Sequence, residues 1–333
     1  MRFVLLFTVG SVIGSAEMPH LANIRQLTFG GQNAEAYWSP DGKRLVFQAT
    51  RPPYQCDQIY IMNADGSDQR LVSTGKGRTT CAYFLKDGRR FLYASTHEVG
   101  ASCPPPPDRS KGYVWGVYPG YEIFLAADDG RILKKLTDAP GYDAEATVNW
   151  RTGRIVYTSL RSGDLELWAM KTDGTRQTRI TSAEGYDGGA IFSRDGRKLV
   201  WRANYPRTPE ALQRYRDLLK DNLTAPMKME IVVADADGKN ARTLTDFGCA
   251  SFAHTFTPDG RKILFASNKH NCDGRRFELY MINLDGTGLE QITDLGGFTS
   301  FPEFSPDGKK LVFCSDWKAK ERYEFNIFTA DWK

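Results

Sequence analysis

Runs of β-branched and aromatic residues along this chain break at a tight turn and resume at once, six times over. The paired runs cover residues 37–47, 84–93, 149–157, 192–201, 256–265 and 304–313. Each is hinged on Asp-Gly or Thr-Gly: Asp41-Gly42, Asp87-Gly88, Thr152-Gly153, Asp195-Gly196, Asp259-Gly260 and Asp307-Gly308. Apolar flanks around such a turn predict a β-hairpin. Proline, where it precedes the Asp, presets φ at the first corner, and glycine supplies the left-handed residue that closes the hairpin with a bulge.

A second hairpin follows each of the first five, about twenty residues later, at Asp65-Gly66, Asp129-Gly130, Asp173-Gly174, Asp237-Gly238 and Asp285-Gly286. Two hairpins per unit make four strands, and four-stranded units at this period predict a β-propeller. The sixth unit ends early, with residues 326–333 as a third strand. Residues 23–28 match the outer-strand pattern but precede the first unit. The expected fold is therefore all-β, a six-bladed propeller closed by an N-terminal strand joining the C-terminal blade, which leaves no free edge. A closed single ring reads as a monomer.

The turn glycines are evenly spaced except before Gly153 and Gly260, where about twenty residues are extra. Both extras fall between second and third strands, at about 101–121 and 205–227. The first holds Pro104 to Pro107 with Tyr113, Trp115, Tyr118 and Tyr121, and reads as a stiff extended loop. The second has Thr208 as a helix N-cap and Pro209 at the first helical position. Leu212, Tyr215 and Leu219 fall on one face before Pro226.

Composition adds the compartment. Arg2, the apolar run 3–13 and small residues up to Ala16 read as a signal peptide over 1–16, followed by a single propeller domain over 17–333. No other stretch is long enough to span a membrane, so the protein is expected in the periplasm or secreted. The net charge is +4; its charges are interspersed, with no basic stripe for nucleic acid. Six cysteines in an exported chain permit disulfides. The loop positions favour Cys81 with Cys103 and Cys249 with Cys272, with Cys56 competing in the first pair. Cys314 reads as a buried thiol.

The Ser-Pro-Asp-Gly-Lys turns followed by Ala-Asp-Gly or Leu-Asp-Gly resemble the repeats of the TolB-like propeller family, related to the WD-type repeat, over about residues 23–332. Blade three departs from the pattern at residues 150–153. The chain reads as the propeller alone, without the separate N-terminal α/β domain of the periplasmic TolB protein, so that protein's envelope role is not carried over. The matching residues are scaffold, so the resemblance carries over the fold and no site. Enzyme motifs fail individually. There is no Gly-x-Ser-x-Gly; His97-Glu98 meets Ala101 where a zinc protease needs histidine; Gly75-Lys76 is followed by Gly77 instead of Ser or Thr.

Any site is expected on the face away from the Asp-Gly turns, at the channel mouth. Asp143 and Glu145 enter blade three, Asp187 enters blade four and His254 enters blade five. Arg51, His97, Arg161, Arg202 and His270 start second-to-third loops there, and Trp115 offers a flat apolar surface for sugar rings or peptide side chains. Each has a plainer role available: capping loops, packing an inner strand, tying blades together, or seating the insert. As a group they could bind a divalent cation or supply acid–base pairs. Two readings stay open. One is a binding or scaffold module for a protein or cell-envelope/glycan ligand. The other is a hydrolase or lyase with a His/carboxylate or metal site.

Overall fold

The computed structural model describes residues 18–333, so the expected signal peptide lies outside the described residues. Six four-stranded antiparallel sheets stand around a central axis. Their innermost strands are Gln32–Trp38, Thr79–Phe84, Asp143–Val148, Tyr186–Phe192, Ser251–Phe256 and Thr299–Phe304. The blades pack through aromatic and aliphatic side chains between neighbouring sheets, with Trp201, Tyr93, Tyr157 and Phe328 among the largest that are fully buried.

The ring closes as the sequence implies. Strand Leu21–Gln26 is the outer strand of blade six and runs antiparallel to Asn326–Trp332. Its pairing carries past the strand end, with Leu27 N donating to Ile327 O at 2.8 Å and Thr28 Oγ1 to Asn326 Oδ1 at 3.2 Å.

The turns show why Ser/Thr and Asp recur. Ser39 Oγ donates to Asp41 Oδ1 at 2.6 Å, and the same carboxylate accepts Lys43 N at 3.1 Å. Thr257–Asp259 and Ser305–Asp307 repeat the arrangement. Blade three lacks the aspartate, and there Asn149 Oδ1 accepts Arg151 N at 3.0 Å and Thr152 N at 3.3 Å. An upstream amide thus does the carboxylate's work.

One expected disulfide forms and one is replaced. Cys249 is bonded to Cys272, but Cys103 is bonded to Cys56, leaving Cys81 and Cys314 free. Cys81 cannot serve because it sits at positive φ (51°) in an inner-strand bulge and lines the central channel. Cys56, on the neighbouring loop, meets Cys103 instead.

The inserts depart furthest from expectation. The helix Pro209–Lys220 forms, with Thr208 Oγ1 accepting Ala211 N at 3.2 Å, but it buries Tyr215 and Leu218; Leu212 and Leu219 are only partly covered. Beyond it, Leu223–Thr224 pairs with Trp115–Gly116 of the other insert. Two insertions from blades two and four are thereby joined into one layer across the ring. The layer is held down where Tyr215 OH donates to Gly185 O at 2.8 Å and Arg216 grips Glu184 at 2.6 and 2.9 Å.

Alkylating the unreduced, denatured protein should label Cys81 and Cys314 alone, and peptide mapping should recover Cys56 linked to Cys103. A Cys81–Cys103 peptide would contradict this arrangement.

Candidate functional site

All six inner strands slip register at the same height, between Ala34/Tyr37, Thr80/Tyr83, Ala144/Thr147, Gly188/Ile191, Phe252/Thr255 and Ser300/Glu303. One residue in each bulge has positive φ: Glu35 (52°), Cys81 (51°), Glu145 (59°), Gly189 (64°), Ala253 (49°) and Phe301 (55°). A bulge leaves its extra residue unpaired and re-aims its side chain. Here the six bulge residues line one central channel, together with Arg202, His254, Tyr37 and Tyr83.

Polar groups placed there need partners other than the sheet. Glu145 binds the Arg202 guanidinium and accepts Thr158 Oγ1 at 2.7 Å. Arg202 also donates to Tyr186 OH at 2.6 Å and lies under the Trp115 ring, 5.4 Å from its centroid. That path explains blade four's glycine, since a Cβ at Gly189 would collide with the guanidinium. Burial pulls the Arg202 pKa down, but Glu145 and Tyr186 outweigh it and hold the cation well above its ordinary value.

Two other inner-strand carboxyls, Glu35 in the channel and Glu303 outside its lining, are less well supplied. Glu35 is raised to about 7, chiefly by burial and also by the Glu145 charge, while a hydrogen bond with the Cys81 thiol opposes the rise. It keeps partial access to channel water, so it is enclosed by the ring without being dry. Glu303 is also raised to about 7 by burial, against a hydrogen bond from Thr255 Oγ1 at 2.9 Å. Burial and the Arg202 charge depress His254 to about 3. Its Nε2 therefore carries the proton donated to Gly189 O at 2.9 Å.

The sequence candidates divide accordingly. Glu145, Arg202 and His254 meet at the channel, with Trp115 above them. Asp143 pairs with Arg161 at 2.8 Å, and Arg161 lies over the Trp168 ring. Asp187 accepts Trp201 Nε1 and Tyr205 OH, both at 2.6 Å. His97 bonds Ser95 Oγ at 2.9 Å, His270 reaches Tyr280 OH at 3.4 Å, and Arg51 donates to Asn33 Oδ1 at 2.8 Å. These six serve their own or adjacent blades and do not join the channel group. Among the described residues, no set of three or more His, Cys, Asp or Glu is grouped to hold a metal ion. Glu35, Cys81 and Glu303 were missed. A signal existed for Glu35, because Ala34-Glu35-Ala36 repeats Ala144-Glu145-Ala146 at the same place in the blade.

Size separates the channel from its surroundings. The channel's free volume is about 40 Å³, room for about two to four waters. Beside it, the joined inserts enclose a groove of about 590 Å³, lined by Val99, Pro104 to Pro107, Tyr118 and Leu223, with Lys111 and Asp221 paired at its rim. Ligand sites occupy roughly 300–1,000 Å³, so of these two spaces the groove is the one with ligand dimensions. Tyr118 OH donates to Pro105 O at 2.7 Å, and the Cys103 disulfide anchors the proline run at its start.

No family model matches the chain. Over 175 residues it is 27% identical to dipeptidyl-peptidase 5 of Porphyromonas endodontalis, covering 44% of this chain and 25% of that protein. It is 23% identical over 161 residues to a TolB homolog of Chlorobium luteolum, covering 48% of this chain and 31% of that one. The matches thus span about a quarter to a third of those relatives' lengths. Among solved structures, a protein from Agrobacterium tumefaciens described as TolB superposes with TM-score 0.62 at 18% identity, covering 93% and 97% of the two chains. An oligogalacturonate lyase in complex with manganese gives TM-score 0.54 at 14% identity, covering 93% of each. The fold is thus that of the TolB-like six-bladed propellers. Identities this low speak to fold alone.

The raised carboxyls set a pH dependence with a definite sign. Glu303 holds its proton more tightly folded than unfolded, so its contribution is fully present below about pH 4.5 and lost as pH rises toward about 7. Glu303→Gln should melt like the parent below about pH 4.5 and higher than it at pH 8, by about 5 °C. An equal offset at both pH values in calorimetry would refute the assignment.

Proposed function

We propose that the protein is an exported propeller, directed by residues 1–16, that acts as a binding module. It takes its protein or cell-envelope/glycan ligand in the groove between the two inserts. The observation that carries this reading is the contrast of volumes: about 590 Å³ in the groove against about 40 Å³ in the channel. Two disulfides, one of them fixing the groove wall, suit an oxidising compartment. Among the described residues, no helix is long and apolar enough to cross a membrane. Rigid prolines and Tyr118 give the groove apolar walls that need little ordering on binding. Trp115, Arg202 and Glu145 serve this site indirectly, by seating the insert layer on the ring.

A photo-crosslinking residue at Val99 should capture an envelope partner in the producing cells, while one at Lys309 on the opposite face should not. Leu223→Arg, which fills the groove, should reduce capture at least about tenfold. Capture at Lys309 but not at Val99 would end the proposal.

The second reading, a hydrolase or lyase, is favoured by one observation. Glu35 and Glu303 both titrate at about 7, where a carboxyl can act as acid or base. It requires Trp115 to leave Arg202 so that a substrate can enter. Turnover of an acidic oligosaccharide that disappears in Glu35→Gln would favour it.

A further inference from the structure

Phe29 is the most exposed large apolar side chain among the described residues, at 77%, and Tyr323 is 53% exposed. Phe29 lies in the connection from the closing strand to the first inner strand, and Tyr323 in blade six's second-to-third loop. The loops are stapled together by Glu324. Its Oε1 accepts Gly30 N at 3.1 Å and Asn326 Nδ2 at 2.7 Å; its Oε2 accepts Lys320 N at 2.8 Å and Glu321 N at 3.1 Å. Phe325 N adds a bond to Gly31 O at 3.1 Å. The two aromatics therefore project from a rigid base, each one residue beyond these bonds. Lys318 and Tyr323 are held at φ of 64° and 66°. Bulky residues avoid that region unless the surroundings impose it.

The charges around them are one-sided. Lys318, Lys320 and Arg322 are exposed, and none lies in an ion pair among the described residues. Glu321 is the one acid turned outward. Glu324 faces the loop backbone, and Asp316 accepts Phe298 N at 2.7 Å. Lys318 Nζ sits 4.0 Å from the Trp317 centroid, and the Arg322 guanidinium carbon 4.8 Å from that of Tyr323.

We propose that this patch docks the protein on an anionic lipid surface, with Phe29 entering the headgroup–acyl boundary and Lys318, Lys320 and Arg322 meeting lipid phosphates. An apolar tip ringed by aromatics and basic residues suits that boundary, where aromatic rings settle at headgroup level and cations gain from surface charge. Two observations favour a surface over a glycan. Phe29 and Tyr323 stand 77% and 53% exposed, outside both the channel and the groove, so they project from the surface instead of lining either space. Lys318 sits over Trp317, whose ring also packs on Phe328, and Arg322 sits over Tyr323, which leaves little aromatic face for stacking on a sugar. The patch lies over blades six and one, away from the groove between blades two and four, and the two are independent.

The test is sedimentation of the ring, residues 17–333, with vesicles; among the described residues every strand lies within Leu21–Trp332, so this piece keeps all six blades. The wild type should pellet with phosphatidylcholine vesicles containing one-third phosphatidylglycerol, remain in solution with pure phosphatidylcholine, and be released by high salt. Phe29→Ser should weaken partitioning at least about fivefold, and Lys320→Glu/Arg322→Glu should abolish it, with unchanged melting temperatures. Lys43→Glu/Lys309→Glu, on the opposite face, should pellet normally. No pelleting, equal pelleting with neutral vesicles, or indifference to both patch variants would overturn the proposal. So would binding to soluble polyglutamate that Phe29→Ser retains without vesicle binding, which would point to an acidic protein partner.

Discussion

The left-handed bulge on every inner strand is the constraint from which the interior follows. It costs backbone energy, since five of the six positions are not glycine, and L-residues resist positive φ by about 1–2 kcal/mol each. In return it breaks the ladder at one height around the axis and turns six consecutive blades' side chains toward a common line. Whatever occupies those positions must find partners across the channel. Glu145 reaches Arg202 from the next blade, and His254 reaches the Gly189 carbonyl. These two contacts tie neighbouring blades together at the height where the inner-strand ladder is broken.

Crowding so many polar groups onto the axis has an electrostatic consequence. One cation, Arg202, faces Glu145 and Glu35, and it is matched fully with only the first. Glu35 responds by holding its proton near neutrality, and burial does the same to Glu303 against the Arg194 charge. The insert layer then lays Trp115 over Arg202, with Phe252 edge-on to the same indole at 5.8 Å. A packed, lidded channel supports the ring, and the space of ligand size lies in the layer above it.

What the sequence revealed follows from how local each determinant is. Ser-Pro-Asp-Gly turns are legible because the residues that make the bonds are within three positions of one another. The closing strand was legible because a blade lacking one strand and a strand lacking a blade imply each other. The bulges were hidden because Glu35, Cys81 and Phe301 carry no mark of positive φ; only the repeated Ala-Glu-Ala hinted at equivalence. Cys81 was mispaired for that reason, since its side chain points to the axis. The two-residue pairing of Trp115–Gly116 with Leu223–Thr224 joins segments more than a hundred residues apart. No short-range pattern encodes it, so the groove it creates could not be foreseen.

Cys81 is a native reporter for the central claim that the insert layer seals a channel built by the bulges. Its thiol lines the channel, while Cys314, whose thiol donates a hydrogen bond to Asn33 O at 3.0 Å, is an internal control buried elsewhere. The measurement is the rate of N-ethylmaleimide addition at each thiol in the folded protein, read by peptide mass, with and without Trp115→Ala. The account predicts that removing the indole accelerates Cys81 at least about tenfold and leaves Cys314 unchanged. Equal Cys81 rates in the two proteins would contradict it.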